Sequence, residues 1–360
     1  MTGAREWLGK IHSLNIKEPV KIMNVCGGHE RTVTMSGMRS ALPENIEIVP
    51  GPGCPVCVCP EEDIYQAIQL ALREDIILVT FGDMLRVPVN VPKGEPRSLV
   101  DARAAGADVR PISSPVEARM IAEESDKRVV FFAAGFETTT APVASLLLEG
   151  VPGNLSLLLS ARLTWPAVAM LLDSGEPGFD ALIAPGHVAT VMGPEEWEFV
   201  PQQHGIPAAV AAFTADSLLA ATWSVLRQLD ESRLFLDNCY QSLVHPGGNP
   251  VAKRHLQTVL RLCDADWRGI GMIPSSGYCL REEYAVHDAR RLFRDYNDQE
   301  RRRTGEMPPG CDCAQVVLGK IYPDQCRLYS KACTPRTPIG PCMVSDEGAC
   351  RIWFSGGQAL

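Results

Sequence analysis

The sequence has no uninterrupted apolar segment of about 20 residues, the length that a membrane-spanning helix needs. Its first residues do not show the basic segment followed by an apolar one with which a secretory signal begins. Basic residues are outnumbered, with 34 Lys and Arg against 43 Asp and Glu and a net charge of -9. We therefore expect a cytoplasmic protein that binds neither membranes nor nucleic acid.

The sequence is rich in cysteine, with 13 among its 360 residues. Thiols stay reduced in the cytoplasm, so these cysteines are not typical of a structural disulfide framework. They indicate metal ligands and redox thiols, with a few buried apolar residues among them. The apolar fraction of 46% and charged fraction of 21% are those of a globular protein of two or three domains.

Short apolar segments alternate with segments of helical periodicity over about the first 230 residues. The predicted strands are Val20–Val25, Ile46–Pro50, Ile76–Thr80, Arg128–Ala134, Leu155–Ser160, Ala181–Ala184 and Ala208–Ala212. The predicted helices are Glu61–Arg73, Thr139–Leu148, Trp165–Leu172 and Ala215–Leu229. This alternation predicts an α/β fold with parallel sheets covered by helices.

A short pattern, G-x-E-x-T, occurs after two of these strands, at Gly28–Thr32 and Gly135–Thr139. It suggests two similar open parallel-sheet domains, at residues 1–125 and 126–236, with ligands at the carboxyl ends of their strands. Residues 237–360 form a third, loop-rich segment with one predicted charged helix, Glu282–Arg294. A segment so rich in loops needs a cross-link to stabilise its fold, and an iron–sulfur cluster would provide one.

The first chemical motif is Cys26-Gly-Gly-His29-Glu30, at the end of a predicted strand. A thiolate before a helix N-terminus is favoured by the backbone N–H groups and the helix dipole. The glycines let another molecule approach the backbone. His29 can act as a ligand or proton carrier and Glu30 as a hydrogen-bond acceptor. The structural alternative is that Cys26 is a buried thiol and His29 a cap residue.

The second motif is a C-x-x-C turn, Cys54-Pro-Val-Cys57, stiffened by prolines. Two cysteines so spaced can close a disulfide or share a metal. A zinc site would need a second C-x-x-C, so a redox pair is the favoured interpretation. We interpret Cys59, two residues further on, as incidental.

The third motif is a group of six cysteines near the C-terminus: Cys311, Cys313, Cys326, Cys333, Cys342 and Cys350. Four thiolates complete a [4Fe–4S] ligand set, and we take the set as Cys313, Cys326, Cys333 and Cys350. Cys311 and Cys342 are then spare, and spacing alone does not settle which four bind.

Other polar loops could line a cleft with Cys26. They contain Glu137, Thr138 and Thr139 in one loop and His187 in another. His187 can act as a ligand, a proton donor or a partner contact, although a single such histidine is more often structural. Three cysteines that belong to no motif are interpreted as buried packing residues, namely Cys239, Cys263 and Cys279.

Taken together, these motifs resemble the HypD family of hydrogenase formation proteins. The resemblance is carried by CGGHE (26–30), GPGCPVC (51–57), GFETT (135–139), PGHV (185–188), IPSSG (273–277) and CMVSDEGAC (342–350), within residues 19–354. Two positions depart from the pattern: Arg31 stands where a second histidine is common, and Phe213–Leu218 replaces a G-F-E-P-x-D-type segment.

The resemblance implies a scaffold that binds iron and supplies electrons while the Fe(CN)2CO group of [NiFe]-hydrogenases is assembled. It implies a small HypC-type chaperone and a HypE-type cyanide donor as partners. Cys26 would bind the iron, with His29 as a further ligand or a neighbouring group. Cys54 and Cys57 would be the redox pair, and the four C-terminal cysteines would hold the cluster.

Two other functions use the same cysteines. A free-standing [4Fe–4S] thiol–disulfide oxidoreductase would need no third upstream thiol beside His29. A protein with a purely structural cluster would leave both upstream motifs unexplained.

Overall fold

The computed structural model describes residues 3–296 and 307–357. Within these residues the strands are β1 Val20–Asn24, β2 Ile46–Pro50, β3 Ile76–Phe81, β4 Val109–Ile112, β5 Arg128–Gly135, β6 Leu155–Arg162, β7 Ala181–Pro185, β8 Ala208–Ala211, β9 Leu236–Asn238, β10 Leu260–Trp267 and β11 Gly271–Leu280. Every strand predicted from the sequence is present, to within two residues at each end.

Helices connect most of these strands. They are α1 Ala4–His12, α2 Gly27–Met35, α3 Met38–Ala41, α4 Pro55–Val58, α5 Glu61–Ala71, α6 Leu99–Ala104, α7 Pro115–Glu123, α8 Glu137–Leu148, α9 Thr164–Asp173, α10 Gly186–Met192, α11 Phe199–His204, α12 Ala215–Asp230, α13 Pro250–Val259, α14 Ala289–Leu292, α15 Cys313–Val317 and α16 Ala349–Ser355. Short 3-10 helices span Gly82–Arg86, Pro194–Trp197, Glu282–His287, Arg294–Tyr296, Pro323–Gln325 and Pro341–Met343. The predicted α/β class is confirmed.

The strands form two sheets. One has the order β2-β1-β7-β8-β9 and is parallel throughout. The other has the order β10-β11-β6-β5-β3-β4, in which β3 to β6 are parallel and β10 and β11 are antiparallel. The strands predicted over the first 230 residues therefore pair in parallel with one another, as expected, whereas the third segment adds an antiparallel pair that was not predicted.

The antiparallel part is a hairpin that the sequence did not reveal. Its turn uses Gly269 and Gly271, both with positive φ. A register shift between Cys263 and Ala265 interrupts the alternation of buried and exposed residues along β10. Because this alternation is the main sequence signal of a strand, the bulge hid β10.

Each sheet takes strands from more than one of the predicted segments 1–125, 126–236 and 237–360. The first sheet pairs β1 and β2 with β7 and β8, and the second pairs β3 with β5. The grouping of strands in space therefore does not follow these boundaries. Where one domain ends and the next begins along the chain stays a prediction.

The predicted helix Glu282–Arg294 is wrong. It is a 3-10 helix to His287, followed by the single turn of α14. Asp288 breaks the helix, because its extended backbone and its side chain, which accepts from Arg290 N at 2.9 Å, start a new helix. The His287 ring also bonds to the carbonyl of Leu155, which fixes the break against β6.

The core lies on both faces of the central strands. In β3, Ile76, Ile77, Leu78 and Val79 are all at most 1% exposed, as expected for a parallel strand covered on both sides. One buried cluster contains the C-x-x-C loop and also five of the six C-terminal cysteines. The fold therefore brings together two cysteine-rich regions that lie more than 200 residues apart in the sequence.

Candidate functional site: a sulfur-lined junction between the sheets

Cys26 lies directly after β1 and caps the N-terminus of α2. The loop after the neighbouring strand β2 packs against it. Gly27 N donates to Gly53 O at 3.2 Å, and any side chain at Gly53 would overlap the backbone of Cys26. Glycine at position 53 is therefore required for the two loops to meet at the carboxyl edge of the sheet.

Cys54 and Cys57 form a disulfide at the start of α4, with their Cα atoms 5.3 Å apart. Both side chains are buried. The Cys57 backbone N–H donates to Cys54 Sγ at 3.2 Å and to Cys54 O at 3.1 Å. The structure thus shows the oxidised form of the predicted pair, and its redox function stays a prediction.

A narrow cavity joins the two upstream motifs to the C-terminal segment. Cys26 and Cys54 line it, and Cys342 lines it from the other side. Glu30 and Glu347 also contribute to its wall. Two thiols, Cys26 and Cys342, and one sulfur of the disulfide, Cys54, therefore line one small space although they come from distant parts of the sequence.

A second, mainly apolar cavity is lined by all six C-terminal cysteines: Cys311, Cys313, Cys326, Cys333, Cys342 and Cys350. Cys342 thus contributes to both cavities. Tyr329 also lines this space, and its hydroxyl is a buried polar atom without a hydrogen-bond partner. Thiols in an apolar pocket with a spare donor fit the requirements of an iron–sulfur cluster.

The described residues contain no group of three or more His, Cys, Asp or Glu side chains arranged to hold a single metal ion. That arrangement concerns one ion, whereas a cluster needs ligands spread around several irons. The cavity lined by six cysteines includes all four predicted ligands, Cys313, Cys326, Cys333 and Cys350, together with Cys311 and Cys342. The choice of four among the six stays a prediction.

Contacts between sulfurs link four of these cysteines. Cys313 shares hydrogen bonds with Cys311 and Cys342, and these bonds lower the pKa of the latter two thiols and raise that of Cys313. Cys342 also interacts with Cys350, whose pKa is raised mainly by that contact. Cys311 and Cys342, which spacing left spare, are therefore in direct contact with two predicted ligands.

The thiol of Cys26 is held in its protonated form. Burial raises its pKa to about 12, and the backbone N–H groups of His29 and Gly28 only partly oppose this. The expectation that the helix N-terminus would favour a thiolate is therefore wrong for the metal-free protein, because desolvation of the charged form outweighs the hydrogen bonds. A metal ion would have to displace this proton.

His29 is fully buried between two oxygen acceptors. Its Nδ1 lies 3.1 Å from Asn24 Oδ1 and its Nε2 lies 3.1 Å from Ala211 O. Burial lowers the pKa of the ring to about 3, so it is neutral. A neutral ring has one N–H and donates to only one of these two oxygens, and since the ring is fully buried between them, this arrangement favours a positioning role for His29 over direct ligation.

Glu30 connects α2 to α16. Its carboxylate accepts two hydrogen bonds from Arg39 and one from Trp353 Nε1, at 2.8, 2.8 and 2.7 Å. With these partners, Glu30 is occupied in holding the two helices together. Since α2 begins beside Cys26 and α16 carries Cys350, this contact fixes one sulfur site relative to the other.

The predicted cleft residues are only partly brought together with Cys26. Glu137 is buried, accepts from Thr164 N at 2.8 Å, and is not on the Cys26 cavity; nor are Thr138 and Thr139, which are half-buried. Burial raises the pKa of Glu137 to about 7. Glu137 lies away from the Cys26 cavity because it follows β5 in the second sheet, whereas Cys26 follows β1 in the first.

His187 does lie close to the site. Its exposed ring stacks on Phe213 with centroids 3.9 Å apart, and Phe213 in turn contacts His29 at 4.8 Å. Phe213 also covers Gly28. The segment that departs from the family pattern therefore supplies an aromatic wall beside the CGGHE loop, while Arg31 is exposed.

The interpretation of the remaining cysteines as buried packing residues is wrong for Cys263 and Cys279, whereas Cys239 does pack against the core of the first sheet, although it is only partly buried. Cys239, Cys263 and Cys279 are each partly exposed. Cys263 and Cys279 form a disulfide across the β10–β11 hairpin, with Cα atoms 6.1 Å apart. The pairing of β10 with β11 brings these two cysteines together although they are 16 positions apart in the sequence, and no local motif reveals this contact. Cys59 is buried and contacts Ser160 Oγ at 3.3 Å.

Several residues of the site carried no sequence signal. Arg39 and Trp353 are ordinary helical residues, and only the fold brings them to Glu30. Asn24, which holds His29, is the last residue of β1 and is buried in the structure. A polar residue at the end of an otherwise apolar strand is the one sequence feature that could have marked it.

Comparison with known proteins agrees with these motifs. The sequence matches the HypD family, described as "Hydrogenase formation hypA family", over residues 2–357. The chain belongs to the HypD family. It is 39% identical over 353 residues to the hydrogenase maturation factor HypD of Azotobacter vinelandii, covering 95% of this chain and 90% of that protein.

Other HypD-type proteins are comparably similar. The hydrogenase maturation factor HypD of Escherichia coli is 36% identical over 352 residues, covering 96% of this chain and 91% of that protein. A putative hydrogenase expression/formation protein of Methanocaldococcus jannaschii is 38% identical over 353 residues, covering 96% and 95%. Among the described residues of this HypD-family chain, no helix is both long and apolar enough to cross a bilayer.

Proposed function

We propose that this protein acts in hydrogenase maturation as an iron-binding scaffold that supplies electrons while the Fe(CN)2CO group of a [NiFe]-hydrogenase is built. One observation supports this most directly. Cys26, Cys342 and Cys54, which is joined to Cys57 in a disulfide, line one narrow cavity, and Cys342 also lines the cavity of six cysteines. A metal-binding thiol, a two-electron pair and a cluster-type pocket are therefore contiguous.

In this proposal Cys26 binds the iron that is being modified. Thiolate is a suitable ligand for low-valent iron. The buried, neutral His29 orients the loop through Asn24 and Ala211, while Glu30 holds α2 against α16. Gly27 and Gly28 let other groups pack directly on the loop beside Cys26, since a side chain at position 27 would clash with Glu347 and one at position 28 with Phe213, whose ring stacks on His187.

The redox requirement follows from the chemistry of cyanide release. A thiocyanate on a carrier cysteine takes two electrons and gives a carrier thiolate and cyanide. Oxidation of the Cys54–Cys57 dithiol to its disulfide releases two electrons and two protons. When bound, a [4Fe–4S] cluster supplies one electron at a time, and Cys342 lies between its pocket and Cys54.

The partners in this proposal are a HypC-type chaperone that shares the iron and a HypE-type protein that carries the thiocyanate. The name of the relatives, hydrogenase maturation factor, supports work with other maturation proteins. A cytoplasmic location stays a prediction. The protein is then a scaffold with a redox role rather than a free-standing catalyst.

A free-standing [4Fe–4S] thiol–disulfide oxidoreductase is the second candidate, and the proximity of the disulfide to the cysteine-lined pocket favours it. It gives no role to Cys26, which faces the same cavity as Cys54. The two functions differ in whether Cys26 is needed.

The redox part is tested by anaerobic reconstitution with iron and sulfide. We expect about four irons per chain and thiolate-to-iron absorbance, both lost in Cys326→Ala and in Cys333→Ala. Cys263→Ala, outside the pocket, is the matched control and should keep the full cluster. Retention of the absorbance in both ligand variants would contradict the assignment. Thiol trapping across a series of potentials should show Cys54 and Cys57 titrating as a two-electron pair.

A further inference from the structure

A surface groove of about 360 Å³ lies between the segment 86–101 and the loop 332–339 of the C-terminal region, and we call it the basic groove. Arg86 and Arg97 line one of its walls, and the loop lines the other. Arg86 Nη2 donates to the carbonyl of Pro335 at 2.8 Å, which holds the loop in place. The residues that line the groove differ from those that line the two cysteine cavities, so the groove is a separate feature of the molecule.

The loop 332–339 separates the basic groove from the pocket of six cysteines. Ala332 lines the groove, and the next residue, Cys333, lines the pocket. At the other end of the loop, Ile339 lines the groove and the next residue, Gly340, lines the pocket. The backbone N–H of Ile339 donates to Cys333 Sγ at 3.4 Å. A residue of the groove is therefore in direct contact with a sulfur of the pocket.

The segments on both sides of the groove are basic, although the protein as a whole is acidic. Residues 86–97 and 326–340 contain six Lys and Arg residues and one acidic residue, Glu95, whereas the whole chain has 34 basic and 43 acidic residues. The six basic side chains are all exposed, and they are Arg86, Lys93, Arg97, Arg327, Lys331 and Arg336. Asp101 also lines the groove, and its carboxylate accepts from Arg97 N at 3.0 Å. This concentration of positive charge favours a partner with an acidic surface.

The proposed function needs electrons from outside the chain. Each release of cyanide would oxidise the Cys54–Cys57 dithiol, and two electrons and two protons must then restore it. When bound, a [4Fe–4S] cluster takes up one electron at a time, so its reductant is a one-electron donor. The pocket of six cysteines borders the Cys54 cavity through Cys342 and the basic groove through Cys333. It thus has one contact toward the disulfide and another toward the protein surface.

We propose that the basic groove is the docking site of a small acidic one-electron carrier protein, which reduces the cluster behind the loop 332–339. The inference rests on the proposed function, because it assumes a cluster in the pocket. One electron leaves the reduced carrier and enters the oxidised cluster, and no covalent bond forms or breaks. Electron-transfer complexes are transient and bury less than about 1,200 Å², so a small groove with a charged rim fits such an encounter.

The test uses an acidic plant-type [2Fe–2S] ferredoxin, chemically reduced, as the probe. Stopped-flow absorbance follows reduction of the reconstituted cluster in the full-length wild type and in Arg97→Gln/Lys331→Gln. Both side chains are exposed, so their replacement should not disturb folding. At low ionic strength we expect the second-order rate constant to fall about tenfold in the double variant. The difference should vanish near 1 M salt, where the Debye length is about 3 Å.

Lys17→Gln/Arg254→Gln is the matched control. Both of these side chains are exposed and lie outside the groove, and the double variant loses the same amount of positive charge. Its rate constant should equal that of the wild type. Reduction by dithionite at high salt should be the same in all three proteins, which shows that each holds an intact cluster.

A second readout needs no cluster. Carbodiimide couples lysine amines to carboxylates of a bound protein at contact distance. In the cluster-free, full-length wild type, peptide mapping should find ferredoxin coupled to Lys331 or Lys93 in preference to Lys17. If the wild type takes up no cluster, the proposed function fails while this coupling pattern still decides the role of the groove.

Two results would overturn the inference. One is an unchanged rate constant in Arg97→Gln/Lys331→Gln together with coupling at lysines outside the groove. The other is self-association, measured by sedimentation, that the double variant abolishes while the wild type shows no coupling to ferredoxin. That result would assign the groove to a second copy of this chain.

Discussion

Replacing Glu30 by Gln tests the contact that joins α2, which begins beside Cys26, to the C-terminal helix α16. The carboxylate of Glu30 is 2% exposed and accepts from both Arg39 and Trp353. Glutamine has the same shape, but one of its two terminal groups is itself a donor. At least one N–H of Arg39 or Trp353 would then face another donor, and the charge of Arg39 would lose its counter-ion.

The magnitude follows from the burial of the two partners. Removing one partner of a buried ion pair costs about 3–5 kcal/mol. The Arg39 side chain is 14% exposed, so water recovers part of this loss. We therefore expect Glu30→Gln to lower the free energy of unfolding by about 3 kcal/mol. Trp353→Phe removes one charge-assisted bond and should cost less, about 2 kcal/mol.

The assay is thermal unfolding of the metal-free protein, with Asp75→Asn as the control. Asp75 forms an ion pair of similar length with Arg73 but is 53% exposed, so its loss should cost about 1 kcal/mol or less. Alkylation of Cys350, on α16, should also become faster in Glu30→Gln. A midpoint temperature and an alkylation rate equal to those of the wild type would refute the coupling role.

Three further predictions use other parts of the site. The pKa of Cys26 is raised to about 12 by burial, so iron binding must release a proton, and affinity should rise about tenfold per pH unit between pH 6 and 9; a flat titration would contradict this. The pKa of Glu137 is raised by burial from 4.5 to about 7, so its share of the folding stability should decline as the pH rises through that interval, and Glu137→Gln should flatten the profile measured by urea unfolding. Peptide mapping without reductant should recover Cys263 joined to Cys279 in air-exposed protein, whereas recovery of both as free thiols would be inconsistent with the hairpin geometry.

The regular part of the fold was predictable because parallel strands are buried on both faces. β3 appears in the sequence as a continuous apolar segment, and its predicted limits match the structure closely. The hairpin β10–β11 was not predictable, because it lies at a sheet edge and its bulge disrupts the alternation. Sheet membership was also beyond the sequence, since β1 pairs with β7 across more than 150 intervening residues.

The candidate site likewise has a part that the sequence predicted and a part that it did not. The sequence pointed to Cys26, Cys54 and Cys57 through local spacing and strand ends, and the structure places Cys26 and Cys54 on one cavity, while their chemical roles stay a prediction. It did not indicate that Cys342 lies on both cavities, because that depends on how the C-terminal segment folds over the first sheet. It also placed Glu137 in the wrong cleft, since a loop motif does not reveal which sheet it belongs to.

The central claim is that Cys26 holds the iron on which cyanide and CO are assembled. Its most direct test is infrared spectroscopy of the protein purified anaerobically with a HypC-type chaperone. We expect cyanide and CO stretching bands in the wild type and in the control Cys263→Ala. In Cys26→Ala the bands should be absent while the absorbance of the C-terminal cluster remains. Persistence of the full set of bands in Cys26→Ala would contradict the account and favour the oxidoreductase function.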